Sequence, residues 1–174
     1  MPDLVASSLA WFITWLFAIA ALHKIRSPGY YQALLNGWFP GIAVGTWVPY
    51  IVAAGEFGIA AMASLPVSRS AGLLAAAMVL LLYAVVMGLQ LARGGVRAGC
   101  GCAGPASSLV ISTPVVLRNL VCAALALLAL LPLQTGDYGL AGMTLSASLA
   151  AFLIAGYLTS EQLIVNAQNL AGNA

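Results

Sequence analysis

The chain has 174 residues, of which 63% are hydrophobic and only 6% charged, and its mean hydropathy is +1.03. Six Lys+Arg and four Asp+Glu cannot cover a globular surface, since soluble domains use about 25% charged residues. That excludes an ordinary soluble fold, and a net charge of +2 without a basic stripe excludes a nucleic-acid partner.

The remaining medium is lipid. The expected fold is all-α: a polytopic transmembrane bundle of four to five helices forming one domain over residues 1–174. A bilayer core takes roughly 20 apolar residues per helix. Matching stretches run over about 4–22, 42–65, 71–92, 114–133 and 140–158, the last with 165 as an alternative end. The first begins at Leu4 without a basic segment before it, so it is expected to stay in the membrane rather than be cleaved. After it, Ser27-Pro28 is a helix-start signal. Tyr31, Leu34, Leu35 and Trp38 follow at i, i+3, i+4 and i+7, predicting a short helix lying in the interface or else an aromatic-belt loop.

In the second segment Glu56 sits in "AAGEFGIAA", where small residues admit a close neighbouring helix. A carboxyl at that depth has to be neutral or paired, and Lys24, Arg26 and Arg118 are the candidate partners. It reads either as a structural ion pair or as a functional group that accepts a proton or walls a bound head group. Tyr83, Met87 and Gln90 lie at i, i+4 and i+7 of the third segment, as pocket lining or as plain packing.

The loop 93–113 contains "RAGCGCAGPASS". A loop of this length in a compact protein is usually functional or disordered. A zinc site needs four Cys/His ligands, and beyond Cys100 and Cys102 the chain has only Cys122 and His23. Three readings stay open: a redox dithiol, a two-thiolate Cu(I) site, and two incidental cysteines. The redox reading has a physical basis, because a disulfide across one residue closes a small strained ring that is easily reduced. Gly99, Gly101 and Gly104 let the loop bend, while Arg97 and the nearby helix start favour a thiolate. Ser112-Thr113-Pro114 is a cap-plus-proline start for the fourth segment. Arg118 follows just over one turn in, with Asn119 beside it and Cys122 at i+4. The arginine either faces the bundle interior or snorkels to the head groups, and Cys122 is either a packing residue or a third thiol.

Taken in order, "AALHKIRSP", Glu56, "RGGVRAGCGCAG" and "VVLRNLVC" resemble the methylamine-utilisation MauE family, related to DoxX-like membrane proteins. The resemblance covers roughly Ala20 to Cys122, with Ala103 where the family pattern has Phe. It implies a part in maturing methylamine dehydrogenase, whose small subunit is rich in disulfides, together with a thioredoxin-like MauD-type partner in the bacterial inner membrane. Carried over by position, Cys100 and Cys102 are the family's cysteine pair, Glu56 its acid, Lys24 its basic residue and Arg118-Asn119 its Arg-Asn. The expected activity is thiol–disulfide exchange by Cys100 and Cys102, with Glu56 and Arg118 assisting. Lys24, Asn119, Gln90 and Tyr83 are then expected around an electron acceptor, a membrane quinone, with no covalently bound cofactor. The alternatives are a docking subunit with an inert disulfide and a Cu(I)-handling protein.

Charge bias pulls the other way. Lys24, Arg26, Arg93 and Arg97 flank the first and third connections, with only Arg69 in the second, which taken literally puts the cysteines in the cytoplasm. The family role implies the periplasm, where disulfides persist; the expectation here leans periplasmic.

Overall fold

The structure is a computed structural model that describes residues 3–39, 41, 43–94, 99, 101, 104, 109–131 and 139–172. Those residues form six helices: α1 (Asp3–Arg26), α2 (Pro28–Trp38), α3 (Val48–Ser64), α4 (Arg69–Ala92), α5 (Thr113–Leu128) and α6 (Gly139–Gly172). The only bridge among the described residues is a single antiparallel one, Gly99 with Val110. The all-α architecture is as expected.

The borders differ where local chemistry overrules hydropathy. α3 starts at Val48 rather than near residue 42, because Pro49 suits a first turn and leaves the residues before it outside the helix. α1 continues through His23, Lys24 and Arg26, breaking only at Ser27 before Pro28 opens α2. α6 extends to Gly172, far past residue 158, since no proline or glycine pair interrupts it.

Three helical spans, Leu4–Arg26, Arg69–Ala92 and Gly139–Ala171, are long and apolar enough to cross a membrane. α3 and α5, with 17 and 16 residues, are shorter apolar helices. At 1.5 Å per residue they reach about 25 Å, a little under a bilayer core of about 30 Å. Such a shortfall is met by local thinning or by polar flanks.

α1 packs along α3 and α6, and α4 along α3 and α5. The main core joins Phe12, Ile13 and Phe17 of α1 to Ile59, Leu73, Leu80, Cys122 and a set of alanines on α3, α4 and α5. Small residues let these helices approach, as membrane bundles require. At Gly72 of α4 a Cβ would run into the backbone of Met62 and Ala63 on α3. Cys122 is thus buried in the apolar core, as its packing reading expects. A second cluster, Trp38, Met87, Leu109, Ile111 and Val115, closes the end of the molecule where α2 and the loop after α4 lie.

α2 forms where the spacing predicts a short helix, and its apolar face is turned to the bundle. Its apolar face does not lie on the outside: Tyr31 and Trp38 are buried, and Leu34 and Leu35 pack against the second cluster. Gln90 Nε2 of α4 donates to the Trp38 carbonyl at 2.6 Å, pinning the end of α2 down. The aromatic pair that resembled an interfacial belt is the inner lining of a cap over the bundle.

Candidate functional site

Lys24 is in the last turn of α1, Glu56 at mid-α3 and Tyr83 on α4, and the packing of these helices brings them together. Lys24 Nζ donates to Glu56 Oε1 at 2.8 Å, and the Tyr83 hydroxyl donates to the same oxygen at 2.7 Å. Lys24 Nζ also lies over the Tyr31 and Tyr83 rings, 5.0 and 5.9 Å from their centroids. Glu56 is 2% exposed and Lys24 8%, so the pair is fully desolvated. Of the three cations considered for Glu56, Lys24 is therefore the partner; Arg26 is exposed and Arg118 is engaged elsewhere.

The carboxylate is used unevenly. Oε1 receives both donors, while Oε2 has no hydrogen-bond partner among the described residues. Leaving a buried acceptor unsatisfied costs about 1–3 kcal/mol. Trp38 Nε1 is a buried donor with no hydrogen-bond partner among the described residues. Both residues line one cavity of about 110 Å³ between α1, α2, α3 and α4. Its other walls are largely apolar and aromatic, among them Phe17, Tyr31, Leu80, Met87 and Tyr157. Asn119 lines it too, its Nδ2 3.8 Å from Met87 Sδ.

One described glycine of the loop after α4 reaches this cavity. Gly101, the residue between Cys100 and Cys102, is one of the cavity's lining residues. It has φ +73°, and a Cβ on it would stand 2.6 Å from Leu34 Cδ2. Gly104, at φ +79°, would meet the His23 ring, and Gly99 the Tyr30 hydroxyl. Positive φ favours glycine at both 101 and 104, and at 104 the His23 ring adds a steric reason, whereas at 101 the Leu34 methyl has room to shift. Cys100, Cys102 and Arg97 themselves lie outside the described residues.

Arg118 faces inward rather than to the head groups, being 8% exposed. Its guanidinium stacks over the Tyr157 ring at 4.6 Å, and Nη1 is 3.7 Å from Glu161 Oε2. Both partners come from α6, the expected fifth span, to which the sequence assigned no site residue. The available signal was scarcity: Glu161 is one of only four acids in the chain, and Tyr157 precedes it by one helical turn. Gln168, also on α6, holds the far end of the cysteine loop. It accepts from Val110 N–H at 3.1 Å, and its Nε2 donates to the Val110 carbonyl and to Ser112 Oγ, both at 2.9 Å. Ser112 occupies the predicted N-cap position in extended backbone, but its hydroxyl makes no capping bond and serves Gln168 instead.

Tyr83, Gln90, Lys24, Glu56 and Asn119 thus gather around the cavity or its cap, and Arg118 stands on the adjoining α5–α6 face. Fold and site define a multi-helix membrane protein with a buried ion pair in a cavity that Gly101 helps to line. The sequence profile described as "Methylamine utilisation protein MauE" matches residues 2–132, and the chain belongs to that family. It is 33% identical over 132 residues to the methylamine utilization protein MauE of Paracoccus denitrificans, covering 73% of this chain and 69% of that one. No solved structure matches it.

Proposed function

We propose that this protein is a membrane thiol–disulfide oxidoreductase in methylamine utilisation, using Cys100 and Cys102. The observation that carries the reading is Gly101: the residue between the cysteines borders a cavity that holds a desolvated Lys24–Glu56 pair. A merely structural disulfide needs no buried charge beside it, because such a pair costs desolvation without a dependable gain in stability.

In this reading a thiolate of a thioredoxin-like, MauD-type partner attacks the Cys100–Cys102 disulfide. A mixed disulfide forms and one cysteine leaves as thiolate. The partner's second thiol then attacks the mixed disulfide, so the partner ends oxidised and the Cys100/Cys102 pair reduced. The oxidised partner passes its disulfide to the small subunit of methylamine dehydrogenase. The two electrons left on Cys100 and Cys102 go to an acceptor dissolved in the bilayer. The protein sits in the bacterial inner membrane with the cysteine loop on the periplasmic side, where a disulfide-forming partner works.

The test is replacement of each cysteine by serine in a host that grows on methylamine. Cys100→Ser and Cys102→Ser are each expected to abolish maturation of the dehydrogenase, and one of them to trap a mixed disulfide with the partner on a non-reducing gel. Full maturation in both variants would reduce the protein to a docking subunit.

A further inference from the structure

We propose that Trp47 and Tyr50, at the start of α3, anchor the cavity end of the molecule in the head-group layer of the bilayer and so set the depth of the Lys24–Glu56 pair. This anchoring is independent of the thiol–disulfide reading above.

The aromatics that the sequence offered for the interface, Tyr31 and Trp38, are buried. Exposed ones stand just beyond them: Phe39, then Trp47 at 63% and Tyr50 at 49%. α1 and α4 end on this side as well, with Arg26 and Arg93 exposed. Trp and Tyr carry an apolar ring with a polar tip, and arginine a charge that suits lipid phosphate. That combination fits the boundary between acyl chains and head groups.

Trp47 is held in its outward position. Gln32 Nε2 of α2 donates to the Val44 carbonyl at 2.9 Å, and the Val44 N–H donates to Asn36 Oδ1 at 2.9 Å. These two bonds tie the segment before α3 to α2. The Trp47 indole then folds over Gly45, where a Cβ would stand 2.5 Å from Trp47 Nε1. Glycine at 45 therefore leaves the place that the ring occupies.

The surface below the two rings says which medium covers them. From Trp47 the exposed positions continue as Tyr50, Ile51, Ala54, Phe57, Ala61 and Leu65, along one side of α3. A patch for a soluble protein partner closes on a polar rim. This stripe carries no charge and runs the whole length of the helix, as a lipid-facing surface does. The polar-tipped rings stand at one end of it, where the acyl chains stop. Glu56 follows Trp47 by nine residues, about 13 Å along the axis and so near the middle of a core of about 30 Å. With this end fixed, the shortfall of α3 falls at its other end, by Leu65 and the 99% exposed Val67.

The experiment uses the full chain in phospholipid nanodiscs whose acyl chains carry bromine either near the head group or near the chain end. Tryptophan emission of the wild type minus that of Trp47→Phe isolates Trp47. Its emission is expected to be lost more to the shallow bromines than to the deep ones, with little loss to acrylamide in the water. Tyr50→Trp in the Trp47→Phe background should repeat the shallow preference, and Phe57→Trp in the same background should reverse it. Trp47 emission lost most to the deep bromines would overturn the anchor. Emission untouched by either lipid and lost to acrylamide would overturn it too, leaving Trp47 and Tyr50 in water as a surface for a protein partner. A Phe57→Trp reporter as shallow as Trp47 would deny that α3 runs inward from the anchor, and with it the depth given to Glu56.

Discussion

At the level of single residues, the Lys24–Glu56 pair has two separable effects. As structure, it joins α1 to α3 inside a low-dielectric bundle. Removing one partner leaves a buried charge unanswered, at a cost of about 3–5 kcal/mol, whereas replacing both by apolar residues of like volume is often neutral. Glu56→Leu alone is therefore expected to lower the thermal midpoint markedly in detergent, and Lys24→Met/Glu56→Leu to restore most of it. If the pair serves the redox reaction, the stable double variant will still fail to mature methylamine dehydrogenase. Recovery of both stability and maturation would show the pair to be structural only. The sequence disclosed Glu56 readily, because one carboxylate in an apolar run stands out. It did not decide among three possible partners, since that choice depends on helix rotation and depth, which hydropathy does not encode. Gly101 behaves in the opposite way: its identity was visible, but the reason for it is tertiary. Gly101→Ala would put a methyl against Leu34 at a positive φ, a combined penalty of about 1–3 kcal/mol. The expected result is a protein that folds with its cysteine loop displaced from the cavity, read out as faster alkylation of the reduced cysteines.

Whole elements were legible to different degrees. The apolar helices announce themselves because a lipid-facing surface needs continuous hydrophobicity; Phe57, Met78, Leu82 and Phe152 still face outward. α2 was legible as a helix from Pro28 and its spacing, yet not in its orientation. Tyr and Trp suit both a head-group belt and a cavity roof, and only the packing partners decide. α6 was the least legible, because its Ala, Ser and Gly content blurs the boundary between span and loop. It lies beyond the part of the chain matched by the family profile, which ends at residue 132. Even so, it lends Glu161 and Tyr157 to Arg118 and ties down the cysteine loop through Gln168. Gln168 acts there as a strand would, giving Val110 both an acceptor and a donor, while Val110 bridges to Gly99, the neighbour of Cys100. Gln168→Leu removes three bonds without touching the cavity. It is expected to leave helix content unchanged and to shift the reactivity of the Cys100/Cys102 pair, with Gln168→Asn failing to rescue because its side chain is one methylene short. Unchanged thiol kinetics in Gln168→Leu would confine α6 to a packing role.

For the whole molecule the open question of physics is which way it sits in the bilayer. α1, α4 and α6 run one way, and α3 and α5 the other. The ties of Arg69 to Ser7 and of Ser146 to the Leu4 carbonyl mark the end opposite the cavity. Lys24 and Arg118 lie inside the bundle, each paired with a glutamate, so neither is a solvated flanking charge of the kind that orients a protein during insertion. Among the described residues that leaves Arg26 and Arg93 at the cavity end against Arg69 at the other, a smaller asymmetry than the raw count of cations suggests. A periplasmic disulfide-forming role demands that this end face outward in spite of it. Labelling Cys100 and Cys102 in intact cells with a membrane-impermeant maleimide, in a Cys122→Ser background, decides the matter. Labelling only after mild reduction is the expected result, and it means an oxidised pair exposed to the periplasm. Labelling confined to inverted vesicles, and without reductant, would instead place reduced thiols in the cytoplasm. Electrons would then have to flow outward from a cytoplasmic donor, and the direction of exchange proposed above would have to be reversed.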